Sequence, residues 1–222
     1  AILSGDTMFA IAYGELSKSK PELLPHLMKV FTKTAIEVCE GQQYDIEFEE
    51  QKDVNLDDYI RMIRLKTAVL LAASLKIGAM VADAPLLEAD KIYSFGINLG
   101  IAFQLQDDLL DAFGNQAVFG KQTGGDIATN KKTVLYLKAI ELADAETAAQ
   151  LKMLYSGANN ESNEKVKLVL GIFEKLNVKQ VTKDIIEEYY HTAMNTLQGI
   201  DIPDERKSVM RDLANAMLKR DH

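Results

Sequence analysis

The stretch that most narrows what this chain can fold into runs from Ser94 to Phe113, SFGINLGIAFQLQDDLLDAF. In a helix of about 3.6 residues per turn, Gln104, Asp107, Asp108 and Asp111 recur at i, i+3, i+4 and i+7 and share one stripe roughly 100° wide. A D-D-x-x-D pattern of this kind also suits the solvated face of an ordinary amphipathic helix. Upstream, however, the same stripe holds Gly96, Ile97, Gly100 and Ile101, and a solvent face does not turn apolar one turn earlier. The pattern predicts a helix buried on every side that opens onto a cavity, apolar in its depth and acidic at its mouth. Two carboxylates about 6 Å apart repel by roughly 2 to 3 kcal/mol at an effective dielectric near 20, so a cation is expected among them. Ligands that offer only oxygen suit a hard divalent ion, Mg2+, which keeps several waters and shares itself with substrate phosphates.

The remainder of the chain fits an all-α protein. Its 222 residues contain four Pro, thirteen Gly and no Trp, so helix breakers are sparse, while the 47% hydrophobic content can fill the core of a single domain spanning residues 1–222. The single cysteine, Cys39, excludes an intramolecular disulfide framework and fits a reducing cytoplasm. No segment has the length and apolarity of an integral membrane span. A net charge of -8 repels nucleic acid and any polyphosphate, so an anionic substrate must be held by local lysines or by bound metal.

Ala1 to Ser17 is apolar on nearly every face from its first residue, and the sequence is expected to be a fragment whose upstream part is absent. A second helix is expected from Pro21–Pro25 toward Glu49, with Gln42 and Asp45 on the line of Phe31, Ala35 and Val38. That polar pair fits either hydrogen bonds between neighbouring helices or the lining of a site. Asn55 is a good N-cap for a third helix reaching about Ala82. Lys66 interrupts its apolar stripe, and a lysine placed mid-helix has little room to reach water, which favours a buried anion beside it; Thr67 adds a hydroxyl.

Asp83 and Pro85 open the helix of the acidic stripe and Gly114 closes it. The polar stretch 114–130 then reads as one long loop, with Lys121 and Lys131 on either side of Gly124, Gly125 and Asp126. Further helices are expected near 133–143, 145–154, 164–176, 179–198 and 204–219, broken at 156–162 and 199–203. Neither His26 nor His191 has partners at metal-ligand spacing.

The run FQLQDDLLDAFG, followed by GK at 120–121, GGDI at 124–127 and NKKT at 130–133, resembles the second aspartate-rich region of the trans-isoprenyl diphosphate synthases. AILSGD at 1–6, EGQQYD at 40–45 and Lys66-Thr67 match the same family in the same order. The resemblance implies an isoprenoid synthase helical bundle, usually a homodimer. It also implies that Asp107, with Asp108 and Asp111 close by, binds Mg2+ bridging to an allylic diphosphate. Lys66, Lys121 and Lys131 would hold that diphosphate, Thr67, Gln104 and Asp126 would support it, and Gln42 and Asp45 would line the site. The family's first aspartate-rich motif and the basic residues that hold isopentenyl diphosphate match nothing in these 222 residues. The 222 residues alone are therefore expected to be inactive.

The implied reaction is heterolysis of an allylic carbon–oxygen bond, attack of isopentenyl diphosphate on the cation, and loss of a proton. A class I terpene cyclase shares the bundle but needs no second substrate, and the GGDI and NKKT elements speak for prenyl transfer. A non-catalytic regulatory subunit would account for the missing motif in another way, and a plain helical scaffold is the remaining reading. Met8, Phe9 and Tyr13 fit either the floor of the cavity or ordinary core packing.

Overall fold

A computed structural model describes residues 2–51, 53–114, 123–156 and 162–218. α1 (Ile2–Leu16) and α2 (Leu24–Glu50) precede α3 (Leu56–Ile63), a π-helical turn (Arg64–Ala68) and α4 (Val69–Val81), and α5 (Leu86–Phe113) follows. A single turn, α6 (Gly125–Ala128), leads to α7 (Val134–Leu142), α8 (Ala145–Leu154), α9 (Ser162–Lys175), α10 (Val178–Gln198) and α11 (Asp204–Leu218). No strand occurs among the described residues, as the composition leads one to expect. The helices expected after residue 133 fall within two residues of those observed.

α5 is the axis of the bundle, packed most extensively against α4 and α10. Ala89, Phe95, Leu99, Ala102 and Leu105 expose nothing to solvent, and burial extends around most of its circumference, with Asp90 and Ser94 on an open edge. One apolar cluster gathers α3, the second half of α5, and α7 to α10 around Leu105, Leu151 and Phe173. A second joins Phe95 and Leu99 to Ala193, Leu197 and Ala214. The break at 199–203 is pinned to α5: Glu88 accepts from Lys91 and from the Asp201 backbone amide, both at 2.9 Å, and Lys91 also reaches the Gly199 carbonyl.

The rod from Leu56 to Val81 begins as expected, with a capping box in which Asn55 and Asp58 exchange bonds of 2.9 and 3.2 Å. It is not one uninterrupted α-helix. At Arg64–Ala68 the Val69 amide bonds to the carbonyl of Arg64, five residues back, and Lys66 and Thr67 lie inside this widened turn. Two glycines press on it from opposite neighbours. A Cβ on Gly41 of α2 would lie 2.3 Å from the Lys66 backbone nitrogen, and one on Gly100 of α5 would lie 2.6 Å from the Ala68 Cα. Only a residue without a side chain admits backbone that near, so the two glycines fix where the turn lies.

α1 is the least covered element: Ile2, Leu3 and Met8 are 82%, 81% and 69% exposed. Phe9 and Tyr13 pack on Phe31 of α2, their ring centroids 5.6 and 4.9 Å from it. The pair therefore joins α1 to α2, whereas Met8 faces outward.

Candidate active site

Four segments bring charge together at the C-terminal end of α5. From α2, Asp45 accepts a 2.5 Å bond from the Lys66 ammonium, which the π turn carries. Thr67, next in the same turn, donates to Gln104 of α5 at 3.1 Å, and the Gln104 amide reaches Asp108 at 3.3 Å. The acidic stripe continues to Asp111, whose carboxylate accepts the backbone amide of Asp126 at 3.0 Å. Lys131 closes the group, 3.7 Å from Asp126. Asp107, one residue before Asp108 on α5, is half-buried, and it too is held by an interaction with the protein.

The segment after α5 has a backbone suited to this. Gly124 takes a left-handed conformation, φ 83°, and donates its amide to the Asp111 carbonyl. The chain then makes the single turn α6, a correction to the loop expected over 114–130, of which 115–122 lie outside the described residues: Gly125–Ala128 is helical, and Asp111 meets the free amide of Asp126 in its first turn. Asn130 is again left-handed, φ 62°, and it turns the chain so that consecutive lysines diverge. Lys131 faces the carboxylates. Lys132 faces away and donates to the carbonyls of Phe48 and Gln51 at 2.8 and 2.7 Å, closing the C-terminus of α2.

The three aspartates of the D-D-x-x-D run have different surroundings. Asp108 is 2% exposed and accepts a short hydrogen bond from the Tyr59 hydroxyl of α3 in addition to Gln104. Burial raises its carboxyl from 3.8 to about 7, with Tyr59, Lys131 and Gln104 pulling the other way. The Tyr59 hydroxyl is pushed well up by burial and by Asp108. Burial, Asp111 and Asp45 raise the Asp126 carboxyl despite the nearby Lys131. Burial works against the Lys131 ammonium, yet Asp126, Asp108, Asp45 and Asp111 together hold it above its ordinary value.

The cluster thus sets four carboxylates, Asp45, Asp108, Asp111 and Asp126, against two ammonium groups, Lys66 and Lys131, with Asp107 on the same stretch of α5. This excess of oxygen donors fits a hard divalent cation such as Mg2+ in chemistry. Among the described residues no three acidic or imidazole groups converge into a ready cage. The two lysines with the aspartates between them suit an anion carried together with its cation. Gln42, three residues before Asp45, is exposed and enters none of these hydrogen bonds. Lys121 lies outside the described residues.

The roles of Tyr59, Lys132 and Asn130 escaped the sequence reading, although NKKT at 130–133 contains the last two. Tyr59 lies on the apolar stripe of α3, where a tyrosine reads as core, and only the unmatched polarity of Asp108 signals a partner.

The helical architecture and the cluster at the end of its central helix define a protein of the isoprenoid synthase bundle class. Residues 1–173 match the polyprenyl synthetase family, and the chain belongs to that family. It is 37% identical over 175 residues to the short chain isoprenyl diphosphate synthase of Methanocaldococcus jannaschii, covering 78% of this chain and 53% of the relative. A crystal structure of a geranylgeranyl pyrophosphate synthase superposes with a TM-score of 0.92 at 41% identity, over 100% of this chain and 68% of that one. The geranylgeranyl pyrophosphate synthase of Corynebacterium glutamicum, solved with isoprenyl diphosphate and magnesium, gives 0.87 at 28% identity, over 99% of this chain and 62% of that one. The chain therefore spans from about half to two thirds of the lengths of these proteins.

Proposed function

We propose that this chain is part of a prenyltransferase that condenses an allylic diphosphate with isopentenyl diphosphate to give a longer isoprenyl diphosphate. The observation that carries the proposal is the meeting of Lys66 and Lys131, each ion-paired to a carboxylate, near Asp108 and Asp111 at the end of α5. In this reading Lys66, Lys121 and Lys131 hold the allylic diphosphate and neutralise charge growing on departing pyrophosphate. Asp107 would be the principal residue holding Mg2+, with Asp111 and Asp126 supporting it. Bound there, Mg2+ supplies electrophilic assistance to carbon–oxygen cleavage.

Asp108 acts from behind: closed off by Tyr59 and Gln104, it fixes the rotation of the helix that presents Asp107. Thr67 and Gln104 join the π turn to that helix, and Asp45 and Gln42 flank Lys66 from α2. The condensation conserves charge: the double bond of isopentenyl diphosphate attacks the allylic cation, and the adduct loses a proton to reform an alkene.

The homodimer belongs to the same proposal, supported by Leu3 and Ile11 of α1 and Ile36 and Ile46 of α2, all more than half exposed. So does the cytoplasmic setting, which fits described residues in which no helix is long and apolar enough to cross a membrane. The test is product analysis of the full-length protein with labelled isopentenyl diphosphate, allylic primers of increasing length and Mg2+. Elongated product is expected with the full-length protein and none with the 222 residues alone. Pyrophosphate release without isopentenyl diphosphate would indicate a cyclase, and no release at all would overturn the proposal.

A further inference from the structure

Lys165, near the start of α9, is a lysine with almost no water around it. It is 4% exposed, and its ammonium donates to the Asn130 side-chain oxygen at 2.5 Å and the Ala128 carbonyl at 3.4 Å. The centroid of the Tyr155 ring lies 5.2 Å away. Its three partners among the described residues are neutral. Burying an ammonium is costly, and an aliphatic side chain would fill the same space more cheaply unless the charge has a use.

Its place in the fold suggests that use. Asn130 holds the left-handed backbone from which the chain enters Lys131, and the Lys131 amide bonds back to the Asp126 carbonyl at 2.9 Å. The next residue of α9, Val166, fills the space against Gly124, where a Cβ would meet it at 2.5 Å. Two successive side chains of α9 therefore hold both ends of the 124–130 segment, which carries Asp126 and leads into Lys131. Lys131 lies between α6 and α7, directly after Asn130, so this segment's own turn sets its direction.

We propose that Lys165 is a positioning residue for Lys131: its hydrogen bond to Asn130 locks the left-handed turn that aims the Lys131 ammonium at the anion site. The proposal rests on the prenyl diphosphate reading above for the identity of the anion. It assigns no chemistry to Lys165, which touches neither substrate nor metal.

The test uses the full-length protein with Lys165→Met, Asn130→Gly, Asn130→Asp and the Lys165→Met/Asn130→Gly double variant. Asn130→Gly keeps the left-handed backbone accessible while removing the acceptor, and Asn130→Asp retains an acceptor for Lys165. Mg2+-dependent binding of pyrophosphate is followed by calorimetry, KM and kcat for the allylic diphosphate by steady-state kinetics, and order in 124–133 by hydrogen exchange.

Lys165→Met and Asn130→Gly are each expected to weaken pyrophosphate binding and raise KM about five- to tenfold, with kcat within about twofold. Exchange in 124–133 is expected to rise. The double variant should be no worse than either single one, and Asn130→Asp should bind as wild type does. Unchanged binding in Lys165→Met, or losses that simply add in the double variant, would overturn the proposal. If wild type binds no pyrophosphate, the functional reading fails, and the exchange measurement still decides whether Lys165 orders the segment: unaltered exchange in Lys165→Met overturns it.

Discussion

Gly41→Ala gives a sharp test of the claim that two glycines place the π turn. The new methyl would start 2.3 Å from the Lys66 nitrogen, 2.7 Å from the Leu65 carbonyl carbon and 2.8 Å from the Lys66 Cα, all backbone atoms that cannot rotate away. Restoring ordinary contact requires α2 and the π turn to part by about 1 Å, and overpacking of this kind costs about 1 to 3 kcal/mol. For a chain of this size each kcal/mol lowers Tm by about 2 to 4 °C, so a mid-range cost of about 2 kcal/mol predicts a drop of roughly 4 to 8 °C. The functional loss should exceed the structural one, because Lys66 rides on the displaced backbone and a misplacement of about 1 Å can lower turnover about 100-fold. Gly78→Ala is the control: a methyl there meets nothing within 4 Å on an exposed helical site and should stabilise by about 0.5 to 1 kcal/mol. Thermal unfolding and, under the prenyl-transfer proposal, product formation by the full-length protein measure both effects. A Gly41→Ala protein with wild-type Tm and turnover would refute the argument that close backbone approach fixes Lys66.

Other perturbations separate the remaining roles. Between about pH 4 and 7 the folded chain holds on Asp108 a proton that the unfolded chain has released, so this group's stabilising contribution falls as pH rises through that window. Tyr59→Phe removes a donor that favours the charged form, and it should therefore destabilise the metal-free chain by about 1 kcal/mol at low pH and about 2 to 3 kcal/mol near pH 8. Urea denaturation at both pH values checks this, and a cost that shrinks as pH rises contradicts it. Lys132→Met leaves the carbonyls of Phe48, Glu49 and Gln51 without their ammonium and should cost about 1 to 2 kcal/mol, visible as early hydrogen exchange at the C-terminus of α2 with pyrophosphate binding unaltered. Asp107→Ala should abolish Mg2+-dependent pyrophosphate binding; calorimetry showing wild-type affinity would reject its assignment to the metal.

Regular helices were legible from the sequence because their signals are local. The Asn55 N-cap, the break at 199–203 and the apolar beginning of the acidic stripe each announce themselves within a few residues, while the expected break at 156–162 lies mostly outside the described residues. What the sequence hid was the direction each polar group takes within its stripe. Asp107 and Asp108 are neighbours with the same side chain, and Tyr59, brought alongside by the packing of α3 on α5, joins Gln104 on the buried one. Lys131 and Lys132 are equally alike, and the left-handed Asn130 sends one to the carboxylates and the other to the end of α2.

The misread segments share a physical cause. Lys66 lies in a π turn held by glycines from two other helices, and Lys131 follows a left-handed residue held by a lysine from a third. Helical periodicity assumes an ideal backbone and therefore loses the register wherever tertiary contacts impose a different one. Both departures occur under a cation, whereas the aspartates ride on regular α-helix. The arrangement makes sense mechanically: a helix delivers carboxylates at fixed intervals along one line, but facing that line with ammonium groups from two sides needs backbone that bends toward it.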